Sequence, residues 1–243
     1  MASPYEIVLG AEIDGLHPRL RAYFGEIPAG SVGRGQGTFD RAGTPRRWLW
    51  PALWLLGRAG IAFPAWEGDV AFTVENRPMV DAAGVTGVRA VRTFHFARGE
   101  RRMLDAITAV TPAEPPAGVA PTAASAPGAG RGQAGDARPQ LVDTLGGASR
   151  LTTRLRASVE GGALTMHSDE VAVRIGPRRV VILPALAPTV ELVERFDDGV
   201  RRQHVSVVLR LPVIGRIYEY AGHFDYTVTD DRAGGTTGGR QHE

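Results

Sequence analysis

In the run Gly215-Arg216-Ile217-Tyr218-Glu219-Tyr220-Ala221-Gly222-His223-Phe224-Asp225-Tyr226-Thr227-Val228, Tyr218, Tyr220, Gly222, Phe224 and Tyr226 fall on one face, and Glu219, His223, Asp225 and Thr227 on the other. Successive side chains of a strand point to opposite sides, so this alternation is that of a half-buried antiparallel strand. Working back from it, the same period predicts strands at 200–210, 190–196, 179–184 and 170–175, separated by turns at Gly176-Pro177 and Asp197-Asp198-Gly199. Gly161-Gly162 is a two-residue hairpin signal joining a strand at 150–160 to one at 163–167. Further strands are expected at 139–144, 86–97 and 69–76, with a strand or loop-strand near 101–110 and a shorter strand at 37–41 after the glycine-rich approach of Gly30, Gly33, Gly35 and Gly37. A set of roughly ten strands at hairpin spacing does not stay open and flat cheaply. The expected fold is therefore mainly β: an antiparallel barrel or strongly curved sheet, lipocalin-like, with one or two N-terminal helices closing an end.

Those helices are expected at 11–24, where Pro18 is acceptable only near a first turn, and at 45–58. All four tryptophans, Trp48, Trp50, Trp54 and Trp66, lie in or just after the second. Residues 112–138 are mostly Pro, Ala and Gly and have too few large apolar groups to offset their ordering entropy, so they read as a disordered insert. A disordered tail is expected from about residue 230. With 243 residues, 43% of them hydrophobic, the chain can bury one good core, and a single β-rich domain over 1–243 is expected.

The formal charge is only +2, and every basic side chain is arginine. The absence of lysine excludes Schiff-base chemistry and a Walker-type phosphate lysine. Arginines are interspersed with nearly as many acidic residues instead of being gathered on one stretch, so no nucleic-acid partner is expected. The absence of cysteine removes disulfides, a thiolate nucleophile and Cys-type zinc or iron–sulfur sites, and fits a cytoplasmic location. Residues 1–10 carry Glu6 and no basic leader, and the longest apolar run, 48–56, is about half of what a spanning helix needs. No transmembrane segment is expected.

Gly130-Arg131-Gly132-Gln133-Ala134-Gly135 matches a dinucleotide-binding pattern literally, but it lacks the preceding strand and following helix that the pattern requires. No cofactor is expected. The six histidines, His17, His95, His167, His204, His223 and His242, form no H-E-x-x-H or H-x-H arrangement, and no metal is assigned. A G-x-S-x-G nucleophile elbow is absent too. The tryptophan segment reads as a helix packed on the sheet, with a lid over an apolar pocket and a membrane-interface anchor as its functional alternatives.

Charges on apolar faces are the sharper signal. Val88, Ala90, Arg92, Phe94 and Phe96 share one side of their strand, and Val190, Leu192, Glu194 and Phe196 share a side of theirs, so Arg92 and Glu194 are carried inward. An unpaired buried charge is expensive, which calls for partners. Two readings follow: a structural Arg92–Glu194 ion pair, or a site. In the second, Arg92, Glu194 and Tyr220 are the catalytic candidates, while Phe94, Phe96, Trp50, Trp54 and Tyr218 line the ligand. His223 and Asp225 lie on the opposite face and read as solvated.

Leu141-Val142-Asp143-Thr144-Leu145-Gly146, the Leu183-Pro184 after a basic strand, Glu194 before the Asp-Gly turn, Gly215-x-x-x-x-Tyr220-x-Gly222 and, upstream, Arg92-Thr93-Phe94 together resemble DUF4166, a bacterial domain family. The family pattern carries a tryptophan two residues before the arginine, where this chain has Ala90. Members are often fused behind an NAD(P)-binding domain of the saccharopine-dehydrogenase type, so the resemblance implies a redox neighbour as well as a fold. The leading functional reading is a small-molecule-handling protein that encloses an apolar ligand. Its catalytic form is a cofactor-independent isomerase or cyclase accessory to a biosynthetic pathway. The alternative is a noncatalytic ligand carrier or a partner module for an NAD(P)-dependent oxidoreductase.

Overall fold

The computed structural model describes residues 2–81, 84–111, 138–147, 150–176 and 178–231. The expected insert at 112–138, apart from Arg138, lies outside these residues, as do the 130–135 glycine motif and the chain after Asp231. The strands are β1 (Ser31–Gly43), β2 (Trp66–Val80), β3 (Thr86–Phe96), β4 (Gly99–Val110), β5 (Gln140–Leu145) and β6 (Leu151–Glu160), followed by β7 (Ala163–Ile175), β8 (Arg178–Val181), β9 (Thr189–Asp197), β10 (Arg202–Leu211) and β11 (Gly215–Asp230). Every pairing is antiparallel, and β1 through β7 pair in chain order. β7 then divides: Leu164–His167 pairs with β9, while Ala172–Ile175 pairs with β8. β9, β10 and β11 continue the wall, and β11 returns to β1. Ten strands thus close an antiparallel barrel, and β8 hangs from β7 beside it.

Three expectations about local structure are corrected. The strands expected at 163–167 and 170–175 are one continuous strand, β7. Gly33, Gly35 and Gly37 are not an approach to a strand but the inward face of β1, which begins at Ser31. A side chain there has no room. A Cβ at Gly33 would sit 1.5 Å from the Tyr226 hydroxyl, and one at Gly37 would sit 2.6 Å from Phe224 Cβ. The missing side chains let the aromatic face of β11 fill the interior. The single helix expected at 11–24 is instead a 3-10 turn over Gly10–Gly15 followed by α2 (Pro18–Phe24), with Pro18 at its start. An additional helix, α1 (Pro4–Leu9), precedes them. It is opened by a capping box in which the Ser3 hydroxyl accepts from the Glu6 amide and Glu6 reaches back to the Ser3 amide. The third helix, α3 (Trp50–Arg58), lies within the expected range.

The two ends of the barrel are plugged differently. α1, α2 and the segment between them bring Leu9, Leu16, Leu20 and Phe24 against Ile107, Leu141, Leu155, Leu164 and Met166 at one end. At the other end Leu53 of α3 and Ile61 and Phe63 after it join Phe39, Phe72, Phe94, Phe96 and Phe224. Phe39 and Phe72 stack at 3.7 Å between ring centres, and Phe63 packs edge-on to Phe94 at 5.6 Å. No described helix is long and apolar enough to cross a membrane.

Val110 and Gln140 face each other in the β4–β5 ladder, so the chain leaves and re-enters the wall at neighbouring points. Replacing 113–137 by a short Gly/Ser link is therefore expected to leave folding intact. A melting temperature close to that of the full chain is the expected result. A large fall, or loss of the folded protein, would make the segment a structural element.

Candidate functional site

Between the two apolar plugs the barrel carries a belt of polar side chains. Alternation within each strand places them. Ala90, Arg92 and Phe94 face inward on β3, Met103, Asp105 and Ile107 on β4, Leu141, Asp143 and Leu145 on β5, and Leu151, Thr153 and Leu155 on β6. In each of the last three strands the polar residue separates an apolar neighbour in one plug from an apolar neighbour in the other. Across the barrel, Glu194 of β9 and Gln203 of β10 face the same interior and are both buried.

The arginine's ion partner is Asp105, whose side chain is 3% exposed against 18% for Arg92. The expected direct Arg92–Glu194 ion pair is not the arrangement: Glu194 Oε2 instead accepts from Gln203 Nε2 at 2.6 Å. Register explains the difference. Asp105 stands directly opposite Ala90 on the adjacent strand, one inward position from Arg92, whereas β9 lies on another part of the wall. Asp143 stands opposite Thr153, and neither Asp143 Oδ1 nor Thr153 Oγ1, both buried atoms, finds a hydrogen-bond partner among the described residues. Three inward carboxyls therefore share the interior with Arg92, of which only Asp105 pairs with it, and part of their hydrogen-bonding capacity is unused among the described residues.

Burial and charge act on these groups in opposing directions. Burial pushes the Glu194 carboxyl up to about 7, against the hydrogen bond from Gln203 and the pull of Arg92. Burial first, and then the neighbouring Asp105, hold Asp143 well above the usual carboxylate range. For Arg92 burial works to lower the pKa, but Asp105, Tyr220, Tyr23 and Asp143 together outweigh it and the guanidinium stays charged. Burial raises the Tyr220 phenol to about 12, against the pull of Arg92, so it is a donor at neutral pH. Tyr5 of α1 and Tyr23 of α2 are raised in the same way, by burial first and then by Glu194, with Arg92 opposing. Both helices thus bring phenols into the field of the belt.

The remaining expected site residues divide between interior and surface. Phe94, Phe96 and Tyr218 are buried in the aromatic plug beside Tyr220, and Trp50 packs partly against it. Trp54 does not join them: it is 55% exposed on the outer side of α3, where Arg58 stacks on its ring at 5.1 Å. Asp105, Asp143 and Thr153 are not among the expected site residues, although each interrupts an apolar alternation as Arg92 does. The tyrosines of the N-terminal plug gave no such signal, because a helix face declares its target only once packed.

A cavity of about 20 Å³ adjoins the belt, lined by Tyr5, Tyr23, Asn76, Arg92 and Asp105 among others. That is room for about one water molecule. Tyr5, Tyr23 and Phe24 of the α1–α2 plug form one side of the cavity. Among the described residues, no set of three carboxylate or imidazole ligand atoms converges within the belt closely enough to share a metal ion.

Searches of curated proteins and of solved structures find no match to the chain. The family model described as Domain of unknown function (DUF4166) matches residues 16–115 and 133–224, which carry most of the barrel wall and every belt residue named above except Tyr5. The chain belongs to the DUF4166 family.

Proposed function

We propose that the barrel handles a small apolar molecule carrying one polar group, and that the belt transfers a proton on it, as in a cofactor-independent isomerisation or cyclisation. The observation that carries this reading is the surplus of inward carboxyls over arginine, with Asp143 Oδ1 and Thr153 Oγ1 without hydrogen-bond partners among the described residues. A core built only for stability gains nothing from such groups, because buried polar atoms without partners are costly. A carboxyl poised near neutrality, as Glu194 is, suits the giving and taking of a proton at physiological pH. In this reading Arg92, held by Asp105, stabilises developing negative charge and the Tyr220 hydroxyl donates to it. Phe94, Phe96, Tyr218 and Trp50 form the apolar floor, and the α1–α2 plug admits the guest.

Native mass spectrometry of the purified protein tests the reading. A complex heavier than the bare chain by the mass of one small organic compound is expected. A bare chain in every preparation, together with no uptake from an extract of small apolar metabolites, would count against it.

A second reading, a partner module for an NAD(P)-dependent oxidoreductase, is favoured by a different surface. β8 is an edge strand whose Val180 and Val181 are exposed, and Leu183 and Leu186 beyond it are more than 60% exposed. An uncovered apolar edge of this kind is a surface another chain can extend.

A further inference from the structure

On the outside of the wall, His223 of β11 faces His204 of β10 directly, with ring centres 4.7 Å apart. On its other side His223 faces Thr38 of β1. β1 is irregular between Phe39 and Arg41, and the residue between them, Asp40, is exposed on the outer face. Bulges of this kind re-aim a side chain. One ligand atom from each of Asp40, His204 and His223 lies within 4.8 Å of the others.

A second observation concerns His223 alone. Its side chain is 27% exposed, its Nε2 is a buried atom, and that nitrogen has no hydrogen-bond partner among the described residues. Asp197 Oδ2 lies 3.6 Å from it. Asp197 is itself anchored, since its Oδ1 accepts from the Gly199 amide at 3.0 Å and its Oδ2 from Arg195 Nη1 at 3.3 Å. A carboxylate orients a metal-binding histidine through the ring nitrogen that does not bind the metal, so Asp197 serves that part where Nδ1 of His223 is the ligand.

We propose that Asp40, His204 and His223 form a binding site for a divalent transition-metal ion of the zinc class, on the outer wall and separate from the interior belt. Two imidazoles and one carboxylate are a borderline donor set suited to zinc, cobalt or iron(II) and poorly suited to magnesium or calcium. Three adjacent, hydrogen-bonded strands hold the donors, so little ordering is required on binding. Arg195, which faces His204 from β9, is paired with Asp197, so its charge does not stand unopposed at the site. Three protein ligands leave coordination positions open, and the exposure of Asp40 lets water or a further ligand reach them.

The test is calorimetric titration of the chelator-treated full chain with zinc sulfate, supported by the visible absorption of added cobalt(II). One equivalent of metal is expected to bind. His204→Ala and His223→Ala are each expected to weaken binding by at least about 100-fold, and Asp40→Asn by about 10-fold. His95→Ala, at a histidine paired with Glu100 on β3–β4, and His242→Ala are expected to leave it unchanged. Melting temperatures of the metal-free variants control for folding. Should His223→Ala fail to fold, Asp40→Asn and His204→Ala decide the matter, because Asp40 is exposed and His204 only half-buried. Absence of zinc binding overturns the proposal. So does binding that survives both of those variants undiminished or falls with His242→Ala.

Discussion

Arg92→Met is expected to lower stability by about 3–5 kcal/mol, measured by urea denaturation at pH 7. The guanidinium is paired with Asp105, a side chain only 3% exposed, and without it that carboxylate is left buried and uncompensated. Burial already pushes Asp105 upward and the arginine holds it down, so loss of the arginine forces the carboxyl to take up a proton or admit water. Arg92→Met combined with Asp105→Leu is expected to recover most of the loss, because removing both members of a buried pair leaves no orphaned charge. Additive losses in the double variant, or a single-variant loss under about 1 kcal/mol, would show that the pair is solvated and uncoupled. Because the arginine has this structural duty, a stability loss at Arg92 cannot separate a site from an ion pair. Tyr220 is the residue that can.

Glu194→Gln is expected to stabilise the protein at pH 8 and to leave it nearly unchanged near pH 4.5. The glutamate's folded pKa of about 7 lies above its ordinary 4.5, so between those values the folded chain keeps a proton that the unfolded chain has released. The group's contribution is therefore fully present below pH 4.5 and is lost as pH rises through 7, a change of about 3 kcal/mol. Asp143 is raised in the same direction and adds to the trend. His204, held below the ordinary imidazole range by burial, Arg195 and His223, has the opposite sign, so the informative quantity is the difference between wild type and variant. A glutamine at 194 still accepts from Gln203 Nε2 through its amide oxygen, which keeps the hydrogen bond while removing the charge. Parallel stability profiles from pH 5 to pH 8 would show that Glu194 is hydrated and titrates normally.

Much of the wall was legible because strand alternation is a local property. The face carrying Tyr218, Tyr220, Phe224 and Tyr226 is the inward one, and the Gly161-Gly162 hairpin stands where β6 turns into β7. Arg92 and Glu194 were placed inside correctly by the same period. Their partners were not, because partnership is a matter of register: Asp105 is brought to Arg92 by the β3–β4 ladder and Gln203 to Glu194 by the β9–β10 ladder. The glycines of β1 misled because, in sequence, a glycine that makes room for a tyrosine looks the same as one that makes a turn. The plug was misjudged for a similar reason. Its first helix is announced only by the Ser3-Pro4-Tyr5-Glu6 capping box, and a helix of six residues has too few turns to show a period.

The most direct test of the interior as a site, as opposed to an expensive structural network, pairs native mass spectrometry with thermal unfolding for wild type and Tyr220→Phe. Phenylalanine keeps the ring that packs against Phe39 and Phe94 and removes only the hydroxyl that shares the belt with Arg92. The account predicts that the small compound carried by the wild type is absent from the variant, while the melting temperature moves by no more than a few degrees. Retention of the same compound by Tyr220→Phe, or a wild type that carries none while the variant loses stability, would contradict it.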